Sequence, residues 1–498
     1  STPLYSSAAS DVYKRQTLYQ RQLKDAFDFF SGSPEELPEA VTEGIDLSFK
    51  TTADKPTGMI ALVGAKIATM RDANSTQEII DDGVVLVEGN KIKAVGTRAQ
   101  VSIPKSAKII DVKGKTILPG MVDVHAHGSQ ASNEITPQQN WQSYSSLAFG
   151  VTTIHDPSND SSEIFSAAEM QRSGIIVGPR IFAVGTILYG AKAAGYTAKV
   201  DNLDDAKFHI QRLKDLGAIS VKSYQQPRRD QKQQMIAAGT ELGIMVVPEG
   251  GAKFYHNMGM ITDGHTGIEH SLPIANVYDD VKQLWSQTKV GYTPTFGVAY
   301  GGLSGETYWY DKTSVWENKR LMKYTPRNLV EPTAIRRTTA PDSHYNHFDV
   351  AKTAKQLRDA GVPVQIGAHG QREGLAAHWE VWMMAQGGFT PWEALRGATI
   401  DGAAYLGMDK GIGSIEVGKL ADMMIIDGDV LSDIRLSENV AYTMLNGRLY
   451  DAEKMIEVGR KAKHKREEFF FDRLKMQSLP TATAKALEEK QHRYHWKH

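Results

Sequence analysis

The chain has 498 residues, and its 57 Lys and Arg residues are balanced by 58 Asp and Glu, so no excess of positive charge favours nucleic acid or an anionic lipid surface. Hydrophobic residues make up 41% and charged residues 23%, as in ordinary globular proteins, and no run of about 18 apolar residues predicts a transmembrane helix. The absence of cysteine excludes disulfides, thiolate metal ligands and cysteine nucleophiles. We therefore expect a folded protein with a small, roughly neutral substrate and neither a nucleic-acid nor a membrane partner.

The first 56 residues show no catalytic motif. Residues 1–16 lack the apolar segment of a secretory signal and resemble a translated cloning scar, so we expect a non-native leader there. Residues 17–56 pass from a charged, amphipathic stretch to the sequence FFSGSPEELPEA. Its Ser, Gly, Pro and Glu predict an arm or linker on the outside of the protein.

Two separate segments show the alternating pattern of antiparallel strands. Residues 57–118 contain the runs MIALVGAKIATM, GVVLVEGNKIKAVG and AKIIDVKGKTILPG, each ended by Gly, Asn or Lys. The pattern returns in residues 411–452, where Gly-Lys and Asn-Gly mark turns. We predict a small β-sandwich built from both segments. Residues 453–498, rich in Lys, Glu, Arg and His, predict a solvated helical tail.

Between these segments, over residues 119–410, short apolar strands alternate with helical patterns, as in a parallel sheet wrapped by helices. Eight candidate strands can be counted, the number that closes a barrel. They are MVDVHAH (121–127), VTTIHDP (151–157), RIFAVG (180–185), AISVKSY (218–224), IMVVPEG (244–250), GIEHSLP (267–273), GYTPTF (291–296) and PVQIGAHG (363–370). We predict an α/β fold in which a (β/α)8 TIM barrel is flanked by the β-sandwich. The length agrees, since such barrels take roughly 250 residues or more.

Ionisable residues cluster at the C-terminal ends of these strands. On the first strand His125 and His127 alternate with Ala126, so both imidazoles point to the same side. Four further strands end in Lys222, Glu249, His270 and His369. Barrel active sites lie at this end, and burying so many ionisable groups without a partner would cost several kcal/mol each. A shared divalent cation is therefore expected, with all six side chains as candidate metal ligands.

The expected ligand set favours hydrolysis. A cation held by imidazoles would lower the pKa of bound water from about 16 toward 7 and polarise a carbonyl oxygen. Zinc suits these ligands best, and manganese, iron and cobalt are alternatives, as one or two ions. Lys222 has two interpretations: a carbamylated lysine that bridges two ions, or a plain ammonium that polarises the substrate or pairs with Glu249.

The sequences LPGMVDVHAH, GVTTIHD, VKSY, GIEHS and GSIEVGKLADMMIID resemble the amidohydrolase superfamily, nearest to its imidazolonepropionase-like and prolidase-like branch. The resemblance covers residues 58 to about 452. It implies a barrel with a flanking β-sandwich, a one- or two-metal centre, and hydrolysis of carbon–nitrogen bonds other than, or including, peptide bonds. The ligands it implies are His125, His127, Lys222 and His270.

The chain departs from the pattern of that family at two strands. The family usually has His at the end of its fifth strand, where this chain has Glu249, so a carboxylate ligand is expected there. The family's eighth strand ends in an Asp that binds metal and takes the proton from the attacking water, where this chain has His369. His369 is our first candidate for the general base and Glu249 the second, with Lys222 as a further catalytic candidate.

Substrate contacts are expected from four residues near the mouth of the barrel. His265 precedes the sixth strand, and the sequence HGQREGLAAHWE after the eighth strand supplies Gln371, Arg372 and His378. His155 and Asp156, at the end of the second strand, are expected to support the metal ligands through hydrogen bonds.

Amide hydrolysis has three alternatives at this stage. Ester or lactone hydrolysis would use the same centre, a cyclic deaminase is another option, and loss of the Asp could also mark a non-catalytic, metal-binding scaffold. Some relatives have a β-propeller ahead of the barrel, so an exported, periplasmic protein is expected. Barrels of this type often self-associate, which favours a homo-oligomer.

Overall fold

The computed structural model describes residues 17–47, 50–71, 79–131, 135–465 and 469. The predicted leader and most of the predicted helical tail lie outside these residues. In the predicted arm, two-residue strands β1 (Thr17–Leu18) and β2 (Ile45–Asp46) form an antiparallel pair. A 3-10 turn at Leu23–Asp25 is the only helical element between them among the described residues. The side chains of this arm are mostly exposed.

The first predicted β segment contains five strands: β3 (Met59–Ala68), β4 (Ile79–Glu88), β5 (Lys91–Thr97), β6 (Lys108–Asp111) and β7 (Lys115–Pro119). The pairs β3–β4 and β4–β5 are antiparallel, as predicted, but β6 and β7 each pair with β3 in parallel. Most apolar residues of β3, β4 and β7 are buried, whereas Ile109 on β6 is exposed. The Gly89-Asn90 turn joins β4 to β5, and Gly89 has a φ of 59°, which glycine adopts without strain.

The middle of the chain contains short strands that pair in parallel. They are β8 (Met121–Asp123), β9 (Val151–Asp156), β10 (Arg180–Ala183), β11 (Ile187–Tyr189), β12 (Thr197–Lys199), β13 (Ser220–Ser223), β14 (Met245–Pro248), β15 (Gly267–Glu269) and β16 (Gly291–Thr293). They form three parallel sheets, in the orders β10-β9-β8, β12-β11-β13-β14 and β15-β16. Seven of the eight predicted strands thus contain a strand of the structure, and the α/β class is confirmed.

The eighth predicted strand, residues 363–370, is wrong as a regular strand. Val364 forms one isolated parallel bridge with Tyr292, and the rest of the segment has no ladder. Pro363 has no N–H to donate, and the backbone turns at His369, whose φ is 59°. Single hydrogen bonds still hold the segment, from Tyr292 N to the Pro363 carbonyl (2.8 Å) and from Val124 N to the Ile366 carbonyl (3.3 Å).

Helices follow the parallel strands and bury one face against them. They are α1 (Trp141–Ala148), α2 (Ser161–Arg172), α3 (Leu203–Asp215), α4 (Arg229–Leu242), α5 (Phe254–Asp263), α6 (Asp279–Ser286), α7 (Gly305–Lys312), α8 (Lys319–Tyr324), α9 (Arg327–Ile335), α10 (His347–Asp359), α11 (Leu375–Gln386), α12 (Pro391–Gly397) and α13 (Ile400–Tyr405). Short side chains cap several of them, as Asn140 caps α1 and Asp160 caps α2. No helix in the described part of the chain is both long and apolar enough to cross a membrane.

The antiparallel pattern returns after the helices, in β17 (Met423–Asp427), β18 (Val440–Leu445), β19 (Arg448–Asp451) and β20 (Ile456–Val458). These strands extend the first segment into one nine-stranded sheet of order β20-β19-β18-β17-β7-β3-β4-β5, with β6 beside β3. The predicted helical tail is therefore wrong at Ile456–Val458, because this segment pairs with β19 instead.

The sheet curls so that distant strands meet. Asn90, in the turn between β4 and β5, donates from Nδ2 to Asn446 Oδ1 in the turn between β18 and β19 (3.0 Å). Arg180 on β10 forms a two-pronged ion pair with Asp422, just before β17 (2.7 and 3.2 Å). The sheet is thus joined to the parallel strands in two ways: the chain runs directly from β7 into β8, and the buried Asp422 pairs with Arg180.

Gly120 is the single residue between the last strand of the first segment, β7, and the first parallel strand, β8. A Cβ at this position would lie 2.1 Å from Thr152 Oγ1. We expect Gly120→Ala to lower the free energy of unfolding by about 1–3 kcal/mol, because the neighbouring strand would have to move. Gly259→Ala in α5 is the matched control: its nearest neighbour is 3.9 Å away, so alanine should be neutral or slightly stabilising. Equal urea midpoints for the two variants would contradict this account of the junction.

Candidate metal centre

Three buried imidazoles converge at the C-terminal ends of the parallel strands. His125 lies two residues after β8, His270 directly follows β15, and His369 ends the segment that pairs with β8 and β16. Each offers a ring nitrogen, and these three nitrogens lie within 4.8 Å of one another. Burial, together with the neighbouring imidazoles, lowers the pKa of His125 well below its usual value and that of His369 to about 3. The rings of His125 and His369 are therefore neutral at pH 7, the form that binds a metal.

The second nitrogen of each ring is held by a hydrogen bond. The Nδ1 atoms of His125, His270 and His369 lie 2.6 Å from Glu269 Oε2, 2.9 Å from Thr295 Oγ1 and 3.0 Å from Gln371 Oε1 respectively. Nε2 of His125 is buried without a hydrogen-bond partner in the described structure. Such outer hydrogen bonds orient metal-binding histidines, and a buried, unpartnered nitrogen fits a ligand atom. The three side chains therefore fit a divalent cation.

Backbone strain accompanies this arrangement. His270 has a φ of 73° and His369 a φ of 59°, and Thr295, which holds the His270 ring, has a φ of 46°. Residues with side chains pay roughly 1–3 kcal/mol each for this left-handed region, and such strain is found most often at functional sites. His270 directly follows β15, and His369 lies a few residues after the bridged residue Val364. Both left-handed turns therefore occur where the chain reaches the candidate centre.

Lys222 and Glu249 lie next to the three imidazoles. Lys222 Nζ is 2.5 Å from Glu249 Oε2, and Glu249 Oε1 is 2.9 Å from His270 Nε2. Burial alone would raise the pKa of Glu249, but Lys222 and His270 hold it well below its usual value. Glu249 is thus a carboxylate at neutral pH.

His127 lies beside the group of three imidazoles. Its ring centre is 5.0 Å from that of His125 and 4.7 Å from that of His369. Its Nδ1 lies 3.3 Å from Ser158 Oγ and 3.6 Å from Asp156 Oδ1. Of the six expected ligands, the structure therefore groups His125, His270 and His369 most tightly. It brings His127, Lys222 and Glu249 to the wall of the adjacent cleft.

The second strand places its two candidate supporting residues differently. Asp156 Oδ1 lies 3.6 Å from His127 Nδ1, too far for the expected hydrogen bond. His155 instead lies deeper between the strands, where its ring contacts Ser220 Oγ (2.7 Å) and the Val124 carbonyl (3.0 Å). Burial lowers the pKa of His155 to about 4, so it is a neutral, hydrogen-bonded core residue.

Sequence reasoning missed Glu269, the carboxylate that holds the His125 ring. Glu269 is fully buried, and its Oε1 accepts hydrogen bonds from Tyr405 (2.5 Å) and Thr293 (3.3 Å). Burial raises the pKa of this carboxyl to about 8, and these hydrogen bonds offset part of that effect. The signal was present in the sequence, because a glutamate inside the apolar strand GIEH needs a buried partner.

Asp123 was also missed, and it connects the first parallel strand to the eighth segment. Its Oδ1 accepts hydrogen bonds from the backbone of His125 (3.2 Å) and of Ala368 (3.0 Å). One buried carboxylate therefore sets the spacing between the His125 and His369 segments. Burial raises the pKa of Asp123 to about 6.

Two of the four expected substrate contacts lie close to the centre. Gln371 lies within hydrogen-bond distance of the His369 ring, so it orients that candidate metal ligand instead of contacting the substrate. Arg372 pairs with Glu306 (3.1 Å) and donates to the Tyr310 hydroxyl (2.5 Å), which ties the segment after His369 to α7.

The other two expected contacts, His265 and His378, are corrected by the structure. His265 precedes β15 and so lies at the opposite end of that strand from His270, buried with Nδ1 3.2 Å from the Met260 carbonyl. His378 is fully buried in α11, and its two ring nitrogens contact Ser437 Oγ (3.0 Å) and the Phe149 carbonyl (2.8 Å). Neither ring is available to a substrate.

The hydrogen bond between Glu269 and His125 gives a testable prediction. We expect Glu269→Gln to weaken Zn²⁺ binding by roughly 10–100-fold, because the acidic group that holds Nδ1 of the ring is replaced by an amide, which cannot ionise when the cation binds. Isothermal titration of the metal-free protein with Zn²⁺ measures this, with Glu317→Gln on the exposed surface as the control. Equal affinities in both variants would show that Glu269 does not act on the ligand.

The chain is similar in sequence to known hydrolases. A model of the amidohydrolase family matches residues 322–450. An imidazolonepropionase of Alkaliphilus metalliredigens is 33% identical over 94 residues, which are 16% of this chain and 22% of that protein. An imidazolonepropionase of Erwinia tasmaniensis is 25% identical over 389 residues, which are 72% of this chain and 90% of that protein. The first of these matches thus spans about a fifth of the relative's length.

Solved structures show the same fold. A Xaa-Pro dipeptidase with bound methionine superposes with a TM-score of 0.60 at 20% identity, covering 79% of this chain and 100% of that one. A putative prolidase from Bifidobacterium longum gives a TM-score of 0.61 at 20% identity, covering 84% and 97%. The resemblance expected from the sequence is confirmed: residues 322–450 match the amidohydrolase family, the chain is similar to an imidazolonepropionase over 72% of its length, and it shares the fold of prolidase structures.

Proposed function

We propose that this protein is a metal-dependent hydrolase that uses water to cleave a carbon–nitrogen bond, of the amide or peptide type, in a small substrate. The observation on which the proposal rests is the convergence of the His125, His270 and His369 ring nitrogens within 4.8 Å. Zinc is the expected cation, because imidazole ligands suit it, with manganese, iron and cobalt as alternatives. The substrate enters through the cleft lined by His127, Lys222 and Glu249.

A divalent cation held by the three imidazoles would supply Lewis acidity, polarising a carbonyl group and making water more acidic. Glu249 is placed to accept a proton, since it is ionised and one of its oxygens is 2.9 Å from the Nε2 atom of His270. Lys222 orients this carboxylate through the ion pair of 2.5 Å. His369 now ranks second as the base, because its Nδ1 is occupied by Gln371 and its ring belongs to the group of three.

We also propose that the parallel strands close into an eight-stranded barrel. Three hydrogen bonds support closure, because they link strands that the three parallel sheets leave unpaired. Gly250 N donates to the Glu269 carbonyl (2.9 Å), which links β14 to β15, and Gln365 N donates to the Tyr292 carbonyl (3.1 Å), which links β16 to the eighth segment. His369 N donates to the His125 carbonyl (2.6 Å), which links that segment back to the first strand. The curled sheet then forms the flanking β-sandwich, whose second segment extends beyond the expected end at residue 452 to include β20 (Ile456–Val458).

Four further expectations stay predictions. They are carbamylation of Lys222, the number of metal ions, export to the periplasm, and self-association into a homo-oligomer. Ester or lactone hydrolysis at the same centre, a cyclic deaminase, and a non-catalytic scaffold are the alternatives that the experiments below distinguish.

The first experiment tests the metal centre. We expect the zinc-loaded protein to hydrolyse members of a panel of N-acyl amines, dipeptides, esters and lactones, and to lose turnover on chelation. His125→Ala should abolish both tight zinc binding and turnover, because the metal loses one of three ligands. His344→Ala, an exposed histidine, is the matched control and should retain both. Zinc binding without turnover of any panel member would favour the scaffold, and turnover unaffected by chelation would refute metal dependence.

The second experiment identifies the base. If Glu249 accepts the proton, Glu249→Gln should lower kcat by roughly 10²–10⁴ while zinc content is retained, as is typical for loss of a general base. His369→Asp should then lower activity as well, because the metal site is disturbed. Activity that is kept or raised in His369→Asp, together with an active Glu249→Gln variant, would assign the base role to position 369 instead.

A further inference from the structure

Next to the candidate centre lies an open cleft of about 350 Å³ whose lining is partly polar and partly apolar. The polar lining consists of His127, Ser158, Thr197, Lys222 and Glu249. The rest of the lining is formed by aromatic and small apolar side chains, which we call the tyrosine wall: Ile187, Tyr189, Ala193, Ala194 and Tyr224. The volume lies in the range of pockets that bind small molecules.

Strand register places the two tyrosines of this wall. Leu188 of β11 pairs with Ser223 of β13, and Tyr224 N donates to the Leu188 carbonyl (3.1 Å). Side chains alternate along a strand, so Tyr189 lies on the opposite face from Leu188, and Tyr224 shares a face with Lys222. The rings of Tyr189 and Tyr224 meet edge to face, with centres 5.3 Å apart and planes at 89°. This geometry is favourable for aromatic pairs and fixes both rings in place.

The cleft offers little that could hold a charged substrate group away from the centre. Among the described residues that line it, the charged side chains are Lys222 and Glu249, and these two pair with each other at 2.5 Å. An ionised carboxylate or ammonium lying on the tyrosine wall would therefore lose water without gaining an opposite charge, which is unfavourable. An uncharged planar group would instead add ring contacts with Tyr189 and Tyr224.

We infer that the tyrosine wall selects substrates with an uncharged aromatic group beside the bond that is cleaved, and that Tyr189 and Tyr224 determine this specificity. The inference rests on the proposed hydrolase function and specifies its substrate class. The polar groups of the cleft would face the scissile bond, next to Glu249, and the ring of the substrate would pack on the tyrosine wall. Lys222 Nζ lies 5.6 Å from the centre of the Tyr224 ring, so the polar groups and the wall adjoin directly.

The test compares N-acyl propylamines that share one leaving amine. The zinc-loaded protein is assayed with the N-benzoyl, N-acetyl and N-succinyl compounds, and the released amine is quantified. We expect kcat/KM for the benzoyl compound to exceed that for the acetyl compound by at least about tenfold, and the succinyl compound, with its free carboxylate, to be the poorest. Tyr224→Leu, which keeps bulk without the ring, and Tyr189→Leu should each reduce the benzoyl preference several-fold, whereas Tyr224→Phe should keep it. Tyr255→Leu, at a tyrosine that is 86% exposed, is the control and should leave the preference unchanged.

A binding measurement separates failure of this inference from failure of the proposed function. If no N-acyl compound is hydrolysed, the proposed function fails for amides, and titration with benzamide and acetamide still tests the wall. Benzamide should then bind at least about tenfold more tightly than acetamide, and Tyr224→Leu should remove most of that difference. Equal kcat/KM values for the benzoyl and acetyl compounds, or equal binding of the two amides, would overturn the inference. A preference that Tyr224→Leu and Tyr189→Leu leave unchanged would also overturn it.

Discussion

The rest of this structure depends on holding three largely buried imidazoles close together, with one nitrogen of each ring within 4.8 Å of the others. Protonated imidazoles at this spacing would repel one another. Burial itself enforces neutrality at His125 and His369. The hydrogen bonds to the outer nitrogens then fix the ring orientation before any cation binds, which is the preorganisation that a metal site requires.

The surrounding fold is consistent with this constraint. The ligands come from the first, sixth and eighth segments of the parallel region, which are far apart in sequence and meet only because parallel strands place their C-terminal ends together. Asp123 joins the first and eighth segments through two backbone N–H groups. The left-handed backbone at His270 and His369 is tolerated because these hydrogen bonds and the packed strands hold it. The curled sheet is attached through the ion pair of Asp422 with Arg180, the first residue of β10. This attachment leaves the C-terminal ends of the parallel strands free.

The centre and the cleft beside it contribute differently to function. The imidazoles, Glu269 and Asp123 form a largely buried set around the candidate centre. The tyrosine wall comes from β11, from residues 193–194 and from the residue that follows β13, so substitutions there leave the three candidate ligands unaltered.

The sequence alone predicted the α/β class, the resemblance to amidohydrolases and the candidate ligands His125, His270 and His369, because each depends on a local pattern: strand periodicity, a motif, or an ionisable residue at the end of an apolar strand. Only the tertiary structure decided which side chains meet. It showed that Glu269 contacts the His125 ring and that His127 lies beside the three grouped imidazoles. It also excluded His265 and His378 as substrate contacts. His265 precedes β15, at the end opposite the centre, and both ring nitrogens of His378 lie within hydrogen-bond distance of other groups of the protein. Contacts between segments separated by up to about 250 residues depend on strand register and packing, which no local sequence pattern encodes.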